Sequence, residues 1–494
     1  MGKPDGVIAS GGLKEKAITG LLWSFGDNGF GQLIHFVVGI ILARILSPQE
    51  FGLIGMITLF IALSQSFIDS GFQQALIRKS DACDTDFSTV FFFNLAVGVL
   101  FYGLIFIFSG AISSFYDEPQ LREIIRVFGL VLVVNALALI QRVRLTRAIN
   151  FRLLTTISLT CSLVSGAIAI WMAISGYGVW SLVWRTLLNQ FMQAIALWYF
   201  NSWRPLAVFR MSSFRDMFSF GSRLLVSGLI DTLYKNIYYL IIGKYFSASD
   251  LGYYTRADHF QRLPSSNLTA VVQRVSYPVL ASVKDDEVRL REGYRRIIRS
   301  TMFISFTTMI VLAAIAESLI LVLIGDKWMP AAGMLQMLCF AGMLYPLHAM
   351  NLNMLNVKGR SDLFLRLEII KKVLAVPVII VGVIMGIRAM LAGMIINSFI
   401  AYFLNSYYSG RLVGYPVAMQ VRDVLPSFII AMLAGALTFT LSLLMGVNPA
   451  VMLSLQLLLA TVVVLVLSEL TRHKGYMEIR MLLLGRLFRS RKNK

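Results

Sequence analysis

The sequence predicts an all-α membrane protein of about fourteen transmembrane helices, arranged as two pseudo-symmetric six-helix lobes followed by two further helices. Three observations predict it: a composition too apolar for a water-soluble chain, apolar runs of spanning length from residue 17 to residue 470, and an internal repeat. Of 494 residues, 57% are hydrophobic and 14% charged; soluble domains carry about a quarter charged residues. A span needs about 20 apolar residues for a hydrocarbon core of about 30 Å, and the breaks between runs are too short to hold a soluble domain.

The runs segment into helices near 17–45, 51–77, 87–114, 121–141, 152–175, 177–200, 214–243, 251–283, 297–325, 330–357, 363–385, 388–410, 423–446 and 448–470. Their polarity follows from the basic residues, which collect on the cytoplasmic side of short loops. With the N-terminus inside, that side receives Lys3, Lys14 and Lys16, Arg78 and Lys79, Arg142 to Arg152, Arg204 to Arg215, the cluster from Lys284 to Arg299, Lys358 to Lys372, Arg411 and Arg422, and a tail from Arg472 to Lys494. The other side holds only Arg44, Arg122, Arg126, Lys244, Lys327 and Arg388. The net charge of +19 is therefore a property of one membrane face and does not indicate nucleic acid. Residues 1–16 read as a cytoplasmic segment, 17–200 and 214–410 as the two lobes joined by a cytoplasmic linker at 201–213, 411–470 as the two additional helices, and 471–494 as a basic cytoplasmic tail suited to anionic headgroups.

Taken in order, span 1 places Ser24, Asp27, Asn28, Gly31 and His35 on one face, and span 2 does the same with Gln65, Asp69 and Gln73. Arg185 lies in span 6, and Arg223, Asp231 and Lys235 lie in span 7. Span 8 is the polar exception, yet omitting it would move every later basic cluster to the outside. On a helical wheel its Arg256, His259, Arg262, Asn267, Gln273 and Arg274 fall within roughly 140°, opposite Ala257, Phe260, Leu268, Val271, Val272 and Val275. Pro264, Pro346 and Pro377 interrupt spans and predict bends, either hinges or fixed kinks. Cys83, Cys161 and Cys339 are far apart and form neither a disulfide framework nor a metal site.

The repeat joins Leu42-Ala-Arg-Ile-Leu-Ser-Pro-Gln-Glu-Phe-Gly52 to Ile242-Gly-Lys-Tyr-Phe-Ser-Ala-Ser-Asp-Leu-Gly252, 200 residues later, and Trp23-Ser-Phe-Gly26 to Phe218-Ser-Phe-Gly221. Spans 1–2 and 7–8 are thus copies, six helices form one unit, and an axis along the membrane normal relates the two, as in transporters with alternating access. A cleft between the lobes is the expected site.

Ionisable residues inside a bilayer cost about 2.5–3.5 kcal/mol each on insertion scales and mark functional paths. The candidates for binding substrate are Arg185, Arg223, Lys235, Arg256, Arg262 and Arg274; those for coupling or gating are Asp27, His35, Asp69 and Asp231. Asp231 and Lys235 also suit a mutual ion pair, and Arg185 and Arg256 suit snorkelling to a membrane face. Guanidinium groups bind phosphate and carboxylate bidentately and stay charged when buried, so a cationic central cavity fits a pyrophosphate or an acidic sugar. An anion leaving an inside-negative cell moves down the potential without a coupling ion, although Asp27 or Asp69 could instead couple flux to protons.

No HExxH, P-loop or G-x-S-x-G motif occurs, so hydrolysis and nucleotide-driven pumping lack their machinery. No metal, cofactor or catalytic residue is expected. On Leu42–Gly52, Asp69-Ser-Gly-Phe72, Leu251-Gly-Tyr-Tyr-Thr-Arg256, Tyr277-Pro-Val-Leu280, Gly325-Asp-Lys-Trp328 and Lys358-Gly-Arg360, the chain resembles the Wzx-type polysaccharide flippases of the MOP superfamily, in particular the colanic acid exporter-like branch. That resemblance implies transport of undecaprenyl-diphosphate-linked oligosaccharide repeat units from the cytoplasmic to the periplasmic leaflet of a bacterial inner membrane, both termini cytoplasmic, without catalysis. Membrane lipids, and the polysaccharide polymerase and glycosyltransferases of one pathway, are the other expected partners. The rival readings are a drug antiporter, whose cavity should present acids and aromatics to organic cations, and a membrane-embedded glycan enzyme, which would need a sizeable outer loop.

Overall fold

The computed structural model describes residues 29–69 and 71–481, and among them every regular element is helical. Two compact units result, Met1–Gly252 and Tyr253–Lys494. The first contains α1 (Gly29–Ile45), α2 (Pro48–Asp69), α3 (Phe72–Arg78), α4 (Asp84–Tyr116), α5 (Leu121–Phe128), α6 (Leu130–Arg147), α7 (Phe151–Ile174), α8 (Trp180–Phe200), α9 (Met211–Tyr245) and the start of α10 (Ala248–Ala281). The second contains the rest of α10, then α11 (Glu287–Ala314), α12 (Ala316–Leu323), α13 (Met329–Gly342), α14 (Tyr345–Val357), α15 (Ser361–Met385), α16 (Ile387–Val413), α17 (Val417–Leu444) and α18 (Pro449–Leu470). A short α19 over 474–481 closes the described chain.

Among the described residues nine helical stretches are long and apolar enough to cross a bilayer, including the paired segments Leu121–Arg147 and Asp326–Val357. The helices α8, α9, α10 and α15, of 21, 35, 34 and 25 residues, are long enough but more polar. The chain is a multi-pass membrane protein. Helix starts follow local chemistry: the Asn150 side chain accepts from Leu153 N at α7, Asp286 from Arg289 N at α11, and Asn448 from Ala450 N at α18.

Four expected spans are each divided into two helices: that near 51–77 into α2 and α3, that near 121–141 into α5 and α6, that near 297–325 into α11 and α12, and that near 330–357 into α13 and α14. The span near 330–357 stops at Gly342 and restarts at Tyr345, with Pro346 in the first turn of α14, where its missing N–H costs nothing. The carbonyls freed by this break are satisfied from neighbouring helices: Ser305 Oγ of α11 donates to Met343 O at 2.6 Å, and Ser398 Oγ of α16 donates to Ala341 O at 2.8 Å. Gly129 separates α5 from α6, while Pro264 and Pro377 lie inside α10 and α15.

In the first unit α7 packs on α8 and α4 on α6, with Ala138, Leu145, Ile157, Cys161, Ala194 and Leu197 forming a shared core. In the second, α11 packs on α17 and α15 on α16. Gly435 permits the first of these contacts: a Cβ there would lie 2.6 Å from Ile310 Cγ2.

After α18 the chain turns back onto α11. His473 is buried, stacks on Phe303 with ring centroids 5.1 Å apart, accepts at Nδ1 from Tyr476 N (3.3 Å) and lies 3.1 Å from Ser427 Oγ through Nε2. Glu478 accepts from Ser300 Oγ at 2.6 Å and pairs with Arg296 at 3.6 Å. Burial, and then the charge of Arg299, hold the His473 imidazole below its ordinary value. Protonation would turn the Nδ1 acceptor into a second donor facing the Tyr476 N–H. The unfolded segment takes up its proton near pH 6.5 and the docked one only at lower pH, so docking is unaffected above that value and weakens below it. Amide-exchange protection of 474–481 is therefore expected to fall between pH 7.5 and pH 5.5, and to lose that dependence in His473→Gln. Equal protection at both pH values in the unsubstituted protein would refute the account.

Candidate functional site

The first unit carries a line of bonded polar side chains through apolar helices. On α2, Gln65 and Asp69 are one turn apart, and Gln65 Nε2 donates to Asp69 Oδ1 at 3.1 Å. Asn135 Nδ2 of α6 donates in turn to Gln65 Oε1 at 3.1 Å. Arg142 stands two turns further along α6 and is half-buried. Ser66, beside Gln65, meets Thr232 of α9 with oxygens 3.0 Å apart. One turn on from Asp231, Lys235 pairs with it at 3.3 Å on an exposed face of α9. This is the ion pair that their spacing allowed.

His35 of α1 and Arg185 of α8 come together, although 150 residues separate them. Arg185 Nη2 lies 3.2 Å from His35 Nδ1 and 3.5 Å from the His35 carbonyl. Guanidinium only donates, so Nδ1 is the acceptor and the ring proton sits on Nε2. Neither of these partners brings a negative charge to the half-buried Arg185.

In the second unit α10 divides into three faces. Tyr254, Ala257, Asp258, Gln261, Ser265, Val272, Ser276 and Leu280 are buried. Val271 and Val275 are exposed and apolar. Arg262, Asn267, Gln273 and Arg274 are exposed and polar, with Arg256 and His259 half-buried at the upper end of the same side. The cationic arc expected from the wheel is thus on the open side of the helix. Arg262 Nε donates to the buried Asp258 at 2.9 Å, an i,i+4 ion pair that offsets its formal charge while fixing its direction.

Sequence reasoning assigned only hydrophobic side chains to the packed face, and it is partly polar. Gln261 Nε2 donates to Ser265 Oγ at 3.0 Å, and its amide occupies the space that a Cβ on Gly342 of α13 would fill. Buried serine and glutamine at three- and four-residue spacing on the wheel were the signal for this. Asp27 and the Arg223 side chain lie outside the described residues. Arg142 escaped the candidate set because hydropathy ended its helix at residue 141, whereas α6 runs to Arg147. Among the described residues no cluster of histidine, cysteine and carboxylates has the geometry of a metal site.

A polysaccharide biosynthesis protein family model matches residues 41–333, more than half of the chain. The chain belongs to that family. It is 27% identical over 358 residues to the teichuronic acid biosynthesis protein TuaB of Bacillus subtilis, spanning 71% of this chain and 73% of TuaB. It is 25% identical over 420 residues to the lipopolysaccharide biosynthesis protein WzxC of Escherichia coli, spanning 82% of each. The succinoglycan biosynthesis transport protein ExoT of Rhizobium meliloti is 24% identical over 314 residues, covering 63% of this chain and 64% of ExoT.

Among solved structures, the lipid II flippase MurJ in its inward closed conformation superposes with a TM-score of 0.76 over 91% of this chain and 98% of MurJ, at 14% identity. An inward-facing multidrug MATE transporter of the MOP superfamily gives 0.61 over 77% and 95%, at 15% identity. These likenesses show that this polysaccharide biosynthesis protein shares its fold with MurJ and with that MATE transporter. The Wzx-type resemblance read from its motifs holds, and the activities named among relatives and neighbours are transport and flipping.

Proposed function

We propose that this protein moves polyprenyl-diphosphate-linked oligosaccharide units from the cytoplasmic to the periplasmic leaflet of a bacterial inner membrane, by alternating access through a cationic central cavity. The observation that carries the proposal is the half-buried Arg185, whose guanidinium meets the ring and carbonyl of His35. The exposed arginine face of α10 adds to it. A diphosphate needs a donor that stays charged away from water, and guanidinium is that donor. Sugar hydroxyls need a hydrogen-bonding path because hydrocarbon offers none; Gln65, Ser66, Asn135 and Thr232 provide such groups. The polyprenyl tail stays in lipid.

Relatives named for lipopolysaccharide biosynthesis and succinoglycan transport, and a fold neighbour named for lipid II, support a glycan on a lipid carrier. The lobes proposed to rock are 17–200 and 214–410, with both termini cytoplasmic, a reading supported by the distribution of basic residues. Polymerase and glycosyltransferases of the same pathway are the proposed neighbours in the cell.

The test is transbilayer movement of a fluorescent polyprenyl-diphosphate oligosaccharide in proteoliposomes, with the headgroup varied and a potential of either sign imposed. Movement is expected only with the protein, and faster when the potential drives the anion in the measured direction, at about 2.3 kcal/mol per charge per 100 mV. Absence of movement for every headgroup at either potential, with movement of an organic cation in its place, would transfer the assignment to the antiporter class.

A further inference from the structure

The two copies of the repeated segment meet in space. Each begins a helix with the same capping arrangement, Ser47 with Glu50 at α2 and Ser247 with Asp250 at α10. Ser47 N and Oγ donate to Glu50 Oε2 at 2.6 and 2.9 Å, and Ser247 N and Oγ donate to Asp250 Oδ2 at 3.2 and 2.7 Å. Two residues after each acid stands a glycine, Gly52 or Gly252. A Cβ on Gly52 would overlap the carbonyl of Ala248, and a Cβ on Gly252 would overlap the carbonyl of Pro48. The contact is reciprocal: each glycine receives the first helical carbonyl of the other copy. Neither glycine needs its conformational freedom, since both are helical; what each supplies is a missing side chain where two backbones touch.

Contacts one turn deeper continue the same seam. Met56 Cγ of α2 lies 3.0 Å from where a Cβ on Gly243 of α9 would stand, and Tyr116 Oη donates to Met56 O at 3.1 Å. Lys244 Nζ pairs with Asp117 at 3.2 Å at this end of the helices, the end that the basic residues assign to the outside.

We infer that the two repeat copies form a self-complementary latch that closes the outer end of the transport path, with Gly52 and Gly252 as its paired contact points. This rests on the alternating-access reading above. It explains why serine, acid and glycine keep their places in both copies: the cap fixes where each first carbonyl points, and the glycine opposite makes room for it. A side chain at either glycine displaces the partner backbone, which has no soft rotamer with which to yield. The latch then favours its open state.

The experiment reads accessibility from outside intact cells with a membrane-impermeant maleimide. The reporter is Ser66→Cys, on the deep Ser66–Thr232 contact, in a Cys83→Ser background; Cys161 and Cys339 are buried. Gly52→Ala and Gly252→Ala are each expected to raise labelling about tenfold, the population shift that an overlap of this kind supplies. Gly103→Ala and Gly333→Ala, whose Cβ positions meet open space, are expected to leave it unchanged. Unchanged labelling in both latch variants would overturn the inference.

If the glycine variants do not accumulate, the pair Met56→Cys and Gly243→Cys stands within disulfide reach. Oxidation is expected to stop lipid-linked oligosaccharide transport and reduction to restore it, whereas transport through the cross-linked protein refutes the latch. Labelling needs no substrate. A labelling response in a protein that moves no lipid would keep the latch and remove the flippase, and flipping that ignores both glycines would do the reverse.

Discussion

Arg185→Ala is expected to slow transport of a polyprenyl-diphosphate oligosaccharide roughly ten- to a hundredfold. A hydrogen bond to a charged group contributes about 1.5–3 kcal/mol, and each 1.4 kcal/mol or so is a factor of about ten. Arg185 is well placed to deliver the whole of that to a phosphate, because it is half-buried and its bonds to His35 consume donors without neutralising charge. Arg185→Lys keeps the charge and loses the planar fork, so an intermediate rate is expected. Flipping rates in proteoliposomes at matched protein content decide the matter, with the thermal midpoint as control for folding. An alanine variant that transports at the normal rate would remove Arg185 from the substrate path.

Asn351→Leu is expected to destabilise the second unit by about 2–4 kcal/mol, because the side chain is a hub for buried hydroxyls that have little else to bond. Asn351 Oδ1 accepts from Tyr294 Oη at 2.7 Å and from Ser409 Oγ, while its Nδ2 donates to Leu347 O at 2.9 Å. All three side chains are fully buried. Ser409 keeps the Ser406 carbonyl at 3.5 Å as a weaker alternative, so most of the loss falls on Tyr294. Adding Tyr294→Phe removes the stranded donor and should recover part of the midpoint in detergent. A single variant as stable as the parent would show that the hub is dispensable.

Helix existence and order were legible in the sequence because apolar runs and basic loops are written in composition. The polar helix α10 was legible only through the charge rule, since its own hydropathy argues against it, and it runs unbroken from Ala248 to Ala281. Its cationic face followed from the 3.6-residue period alone. What could not be read were partners distant in the chain. His35 with Arg185, Gln65 with Asn135 and Asn351 with Tyr294 depend on which helices become neighbours, and no single helix encodes that. Arg142 was hidden for another reason: hydropathy measures where the apolar run ends, while the helix continues as long as its basic side chains find acceptors. Arg144 pairs with Asp84 at 2.7 Å, and Arg147 Nη1 donates to Leu76 O at 2.8 Å, which keeps the last turns of α6 folded.

The interruption between Gly342 and Tyr345 has a mechanical meaning. An unbonded helix break is compliant, because its spare carbonyls cost the same in many geometries. Here Ser398 holds one of those carbonyls and Ser305 another, so flexing would sacrifice two side-chain bonds in a region without water to replace them. The segment behaves as a riveted strut that ties α11 to α16 and transmits displacement without absorbing it. Any bending during a transport cycle must then be taken up at joints that no neighbour clamps in this way, and the strut sets how far the helices on either side can part before they move together.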